Sequence, residues 1–183
     1  MKKFFKFGCL GVIALIVLII IIAIFSSGND DKVSTGSKTE SSTTNKKSET
    51  PKDDGSKKVD ASNQNVTAEG LKVGLGEIKI LDSKIQVGIN VENTKSNKVT
   101  FYPDQGSAVI GNMQLDANLF LTDGDISGDI QGGVKKEAVL EFLAPDGKKI
   151  DVKNVKEIKL MFGDVYDDKT MNTKDVSFTV PVK

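Results

Sequence analysis

Apolar and polar positions fall into three successive regimes along the chain. Phe7 to Phe25 read FGCLGVIALIVLIIIIAIF, almost wholly apolar and uncharged. Residues 26 to 65 are polar, rich in Ser, Thr and Lys, and offer only Val33, Val59 and Ala61 as appreciable apolar surface. From about Val66 a period of two sets in. Ile85, Val87, Ile89 and Val91 alternate with Gln86, Gly88, Asn90 and Glu92, the pattern of a half-buried strand. Leu71, Val73 and Leu75 precede them, and Ile78 and Ile80 follow an interruption at Gly74 and Gly76, which predicts a bulged strand or two short ones. Further strands are predicted at Val99 to Tyr102, Ser107 to Ile110, Met113 to Ala117, Glu137 to Leu143, Ile158 to Phe162 and Asp175 to Val182. Gly111-Asn112 separates two of these runs as a two-residue hairpin turn does, and Pro145-Asp146-Gly147 breaks the chain after Leu143. Short strands without a helical stretch predict an all-β fold, an immunoglobulin-like antiparallel β-sandwich over residues 66–183.

The apolar run predicts a membrane anchor. Its nineteen residues span roughly 28 Å as a helix, close to the roughly 30 Å hydrocarbon core of a bilayer. A secretory signal peptide shares the basic start and apolar core, so residues 1–25 are an anchor or a signal peptide. The anchor reading is preferred, because the core exceeds the usual 7 to 15 residues and Ile24 and Phe25 spoil a small-residue cleavage site. Lys2, Lys3 and Lys6 lie ahead of the run and place the N-terminus in the cytoplasm and the rest outside. The alternative is a secreted domain. Cys9 precedes the apolar core and reads as a small interfacial hydrophobe.

Residues 26–65 cannot offset their ordering entropy by burial and are expected to be a disordered linker. As a flexible coil they give an end-to-end distance of about 35 Å. Beyond residue 65 there are 15 lysines and 18 acidic residues, with no arginine, histidine or cysteine. Nucleic-acid binding is therefore not expected, since phosphate contacts need concentrated positive charge. Disulfides, His-based triads and His/Cys zinc sites are excluded from the same region. Neither GxGxxG nor GxxxxGK[ST] occurs, and no enzymatic activity is expected.

Four segments carry a family resemblance: the strand ending Val91-Glu92-Asn93-Thr94, Phe101-Tyr102-Pro103-Asp104, Ile126-Ser127-Gly128-Asp129-Ile130-Gln131-Gly132-Gly133, and Ala138-Val139-Leu140-Glu141-Phe142. With the order of anchor, linker and domain, residues 66–183 resemble the telokin-like, immunoglobulin-fold extracellular domains of unknown function in Gram-positive bacteria. The resemblance implies an immunoglobulin-like sandwich without an established enzymatic activity, carried behind a lipoprotein signal or membrane anchor. Cys9 departs from the lipoprotein position, which leaves the apolar run as the anchor.

Two features carry candidate chemistry. Asp123, Asp125 and Asp129 lie among glycines and supply hard oxygen ligands of the kind Ca²⁺ takes. Asp123-x-Asp125 opens like an EF-hand loop with Gly128 in sixth position, but Val134 stands where the bidentate Glu belongs. A solvated acidic loop is the competing reading. Asp164, Asp167 and Asp168 form a similar cluster without ordering glycines. Phe101 and Tyr102 point to opposite faces, which assigns Phe101 to the core and makes Tyr102 the candidate partner contact. The expected function is a membrane-tethered extracellular interaction module, anchored through residues 7–25, whose partner is a cell-envelope or extracellular protein. The alternative is a tethered or secreted accessory protein that binds a small ligand or calcium.

Overall fold

The computed structural model describes residues 33–36 and 55–183. The predicted anchor at 7–25 lies outside the described residues, among which no helix is long and apolar enough to cross a membrane. The fold is all-β. Among the described residues the eleven strands are β1 (Lys57–Asp60), β2 (Asn65–Ala68), β3 (Leu71–Ile80), β4 (Lys84–Asn93), β5 (Val99–Phe101), β6 (Ser107–Ile110), β7 (Met113–Ala117), β8 (Gly128–Ile130), β9 (Lys135–Leu143), β10 (Glu157–Asp167) and β11 (Asn172–Pro181). All pairings are antiparallel, in the order β1-β3-β4-β9-β7-β6-β10-β5-β8, with β2 added to β3 and β11 to β10. The expected all-β, sandwich-like fold is present, with its strands hydrogen-bonded through one continuous sheet. The link is β7, which pairs with β9 at only Asp116↔Leu143 and Ala117↔Phe142 and with β6 along its length.

That sheet folds over on itself. In a flat sheet β9 and β10, three strand intervals apart, would lie about 14 Å from each other. Their Phe142 and Phe162 rings are instead 6.2 Å apart, and Phe178 of β11 packs edge-on to Phe162 at 6.0 Å. The two faces enclose a single core that includes Leu75, Ile78, Ile89, Leu115, Leu140 and Leu160. Two bulges keep this face continuous. In β3 the buried positions run Leu71, Val73, Leu75 and then Ile78, Ile80, and the register shifts between Leu75 and Ile78. In β10 they run Ile158, Leu160, Phe162 and then Val165, Asp167, with a shift between Met161 and Gly163. Each extra residue moves the inward set by one position, and Gly163 takes the required φ of +83°.

Turn chemistry matches the sequence at Gly111-Asn112, where Ile110 pairs with Met113 and Gly111 has a positive φ, as a type II′ hairpin requires. The structured region reaches further upstream than the alternation indicated. β1 and Val33–Gly36 lie within 26–65, where a disordered linker was expected; β1 is a charged edge strand paired with β3, and Val33–Gly36 rests on the sheet. Charged residues on an edge strand also discourage further pairing.

Buried polar residues join the loops at one end. Asn93 is fully buried; its amide donates to the carbonyls of Asn97 and Ile130 at 2.9 Å each, and its Oδ1 accepts from the Lys95 amide at 3.0 Å. Asp167, from the second acidic cluster, faces inward after the β10 bulge. It accepts from the Lys95 ammonium, from Asn97 Nδ2 at 2.8 Å and from the Lys169 and Thr170 amides at 2.8 and 3.3 Å. Lys95 also reaches Glu69 at 3.4 Å in the β2–β3 turn. The bond from Lys95, helped by the two amides, outweighs desolvation and holds the Asp167 carboxyl down to about 2. The same pairing raises Lys95 above its ordinary value.

Phe162→Ala is expected to cost about 3–5 kcal/mol in urea denaturation, because it opens a cavity where the folded-over faces meet. For Asp167, the unfolded chain takes up a proton near pH 3.8 while the folded state resists until about 2. Its contribution is therefore complete above about pH 4 and lost as pH falls towards 2. Melting temperatures measured across that window are expected to show Asp167→Asn less stable than the wild type at neutral pH, with the gap closing in acid; a constant gap would contradict the assignment.

Candidate functional site

Between β7 and β8 the chain runs beside β9, leaves it for four residues and returns. On the way out the Asn118 amide donates to the Glu141 carbonyl at 2.8 Å. On the return, Asp123 and Val139 exchange two backbone hydrogen bonds, at 3.0 and 2.8 Å. In between, Leu119–Leu121 form a single 3₁₀ turn. Asn118 caps it: its Oδ1 accepts from the Phe120 amide at 3.0 Å and its carbonyl from the Leu121 amide at 3.0 Å. The turn is thus held at both ends and from within.

Its three side chains face water. Leu119 is 50 % exposed, Phe120 87 % and Leu121 48 %. Single exposed hydrophobes are ordinary on a protein surface, whereas three contiguous large ones on a braced turn make this the candidate site. Fully burying a side chain such as Phe120 against a partner is worth about 1.5–3 kcal/mol. Sequence periodicity did not single out this site. An apolar triplet has the same local pattern whether it is a buried strand or an exposed turn, and the available signal was Asn118 as a cap immediately before it.

The predicted acidic site is not assembled. β8 pairs with β5 and puts Asp129 opposite Thr100, where its carboxylate accepts from Lys98 at 2.8 Å and from Thr100 at 2.9 Å. Asp125 faces Lys136 of β9 at 3.3 Å, and Asp123 is held by its backbone bridge to Val139. Among the described residues no group of three or more His, Cys, Asp or Glu is placed to hold a metal ion. The lysine contact, seconded by Thr100, lowers the Asp129 carboxyl below its usual range, and Asp129 together with Asp168 raises Lys98. Lys98, Asp129 and Asp168 neutralise one another where the β4–β5 loop, β8 and the β10–β11 turn meet.

Tyr102 follows β5 and is 48 % exposed, whereas Phe101 is fully buried. The Tyr102 carbonyl accepts from the Gln105 amide at 3.2 Å, which closes the short turn begun by Pro103. A separate surface cleft of about 440 Å³ lies beside the β6–β7 hairpin and is lined by Ile110, Met113, Lys149, Ile150, Val155 and Lys159 among others. Its lining includes none of Asp123, Asp125, Asp129 or Leu119–Leu121.

No family model and no curated protein matches the chain. Among solved structures, the chain is similar to a functionally unknown protein from Listeria monocytogenes EGD-e, at 13 % identity and a TM-score of 0.48, over 66 % of this chain and 82 % of that one. It is similar to the YjhA protein from Bacillus subtilis at 10 % identity and a TM-score of 0.43, over 66 % and 96 % of the two chains. A FixG-related protein from Vibrio parahaemolyticus aligns at 11 % identity and a TM-score of 0.39, over 63 % and 98 %.

Proposed function

We propose that this protein is a non-enzymatic interaction module, an immunoglobulin-like domain of the telokin-like kind, tethered outside the membrane and docked on an envelope or extracellular protein through its apolar turn. The observation that carries this reading is the Leu119–Leu121 turn, braced by Asn118 and β9, with Phe120 almost wholly in water. A braced turn gives up little conformational entropy when a partner covers it, so more of its apolar burial appears as affinity. Tyr102 supplies a second, half-exposed aromatic of the type found at protein interfaces. The tether follows from the uncharged run at 7–25 behind Lys2, Lys3 and Lys6, and an outside location also suits a domain without cysteine.

The test is site-specific photo-crosslinking of the full chain in native membranes. A photoreactive residue at position 120 is expected to give a discrete protein adduct, and one at exposed Lys153 none. Phe120→Asp is expected to weaken binding of the identified partner about thirtyfold, in line with an anchor worth about 2 kcal/mol, without lowering the melting temperature. Equal adducts from positions 120 and 153, or adducts to lipid alone from position 120, would overturn the proposal.

A further inference from the structure

The outer face of β3, β4 and β9 contains a groove floored by glycine. At Gly76 and Gly88 an added Cβ would lie 2.0 Å from the Ser34 carbonyl oxygen, so no side chain fits at either position while Val33–Gly36 lies there. Glycine inside a strand weakens it and marks close approach by another backbone. Here the approaching backbone belongs to the same chain. The β3 bulge leaves Gly76 and Glu77 without partners on β4, and the Glu77 amide donates to Ser34 O at 2.7 Å. Asn90 Nδ2 donates to Thr35 O at 2.7 Å, and Thr35 Oγ1 donates to Glu137 Oε2 at 2.8 Å. Val33 is only 6 % exposed yet stands outside the core cluster.

We propose that this groove is a peptide-recognition site for a short extended segment of the pattern aliphatic-x-Thr-Gly, and that Val33–Gly36 is its resident ligand, docked in cis. Each position has a physical reader. The aliphatic side chain at the first position is buried, and the second is read through its carbonyl while its exposed Oγ accepts from the Gly36 amide at 3.3 Å within the segment. The third meets a carboxylate acceptor in Glu137 and an amide donor in Asn90. The fourth is restricted to glycine, because Gly36 has a φ of +76° and its added Cβ would lie 2.7 Å from the Leu75 carbonyl. Such backbone capture by an unpaired strand amide, with specificity from flanking side chains, follows the general logic of peptide recognition at sheets. The site is carried by other residues than the Leu119–Leu121 turn and stands independently of its partner.

The experiment compares hydrogen exchange at the Glu77 amide in the full chain and in Val33→Asp, with β10 amides as the control for folding. Val33→Asp is expected to accelerate Glu77 exchange at least tenfold while β10 is unchanged, because a carboxylate cannot occupy the buried first position. A synthetic peptide spanning residues 31–38, added to Val33→Asp, is expected to restore protection; the same peptide with Gly36→Val is expected not to. Unchanged Glu77 exchange in Val33→Asp, no rescue by the peptide, or equal rescue by both peptides would overturn the proposal. Val33 is not part of the main core cluster, and unchanged exchange at the β10 amides reports that the fold the groove depends on is intact.

Discussion

The contact between Phe142 and Phe162 is the constraint on which the rest of the structure depends. It brings strands from distant parts of one continuous sheet face to face, and Phe178 extends the contact to β11. Without that closure the inward faces of β3, β4 and β9 would meet water rather than those of β10 and β11. Closure also explains the placement of the two bulges. Each lets a long strand keep apolar residues inward as the sheet bends, and each releases backbone or side chains for another use. At β3 the released Glu77 amide meets Ser34, and at β10 the shifted phase turns Asp167 inward to join three loops.

β9 connects this core to both surface features. Leu140 and Phe142 point into the interior, while the Glu141 carbonyl and the Val139 backbone hold the two ends of the apolar turn. Glu137, further along the same strand, accepts from Thr35. Its partner β7 covers it at only two residue pairs, and the remaining edge is what the 118–123 segment uses. A site on a core strand inherits the rigidity of that strand, which suits recognition better than a free loop does.

Legibility in the sequence followed the strength of local pattern. The alternation from Ile85 to Val91 gave β4, the Gly74 and Gly76 interruption gave the β3 bulge, and Gly111-Asn112 gave its hairpin. Phe101 inside and Tyr102 outside followed from simple alternation. β1, β2 and β8 were missed, since Lys57–Asp60, Asn65–Ala68 and Gly128–Ile130 each hold a single large apolar residue and are defined by pairing with β3 or β5. The extension of β10 beyond Phe162 was hidden by Gly163 and the acidic residues after it, whose inward member is legible only once the bulge is known. The docking of Val33–Gly36 left no periodicity, because four residues are too few; its trace is in the glycines of the receiving strands. The acidic residues Asp123, Asp125 and Asp129 show the converse, being close in sequence but sent to different strands and paired with different lysines.

Docking through the apolar turn requires that the turn be preformed. Backbone ¹⁵N relaxation of the full chain reads this directly at residues 118–123. Order parameters of about 0.85, equal to those of β9, are predicted there, and values below about 0.6 at Leu119–Leu121 would contradict a rigid docking element.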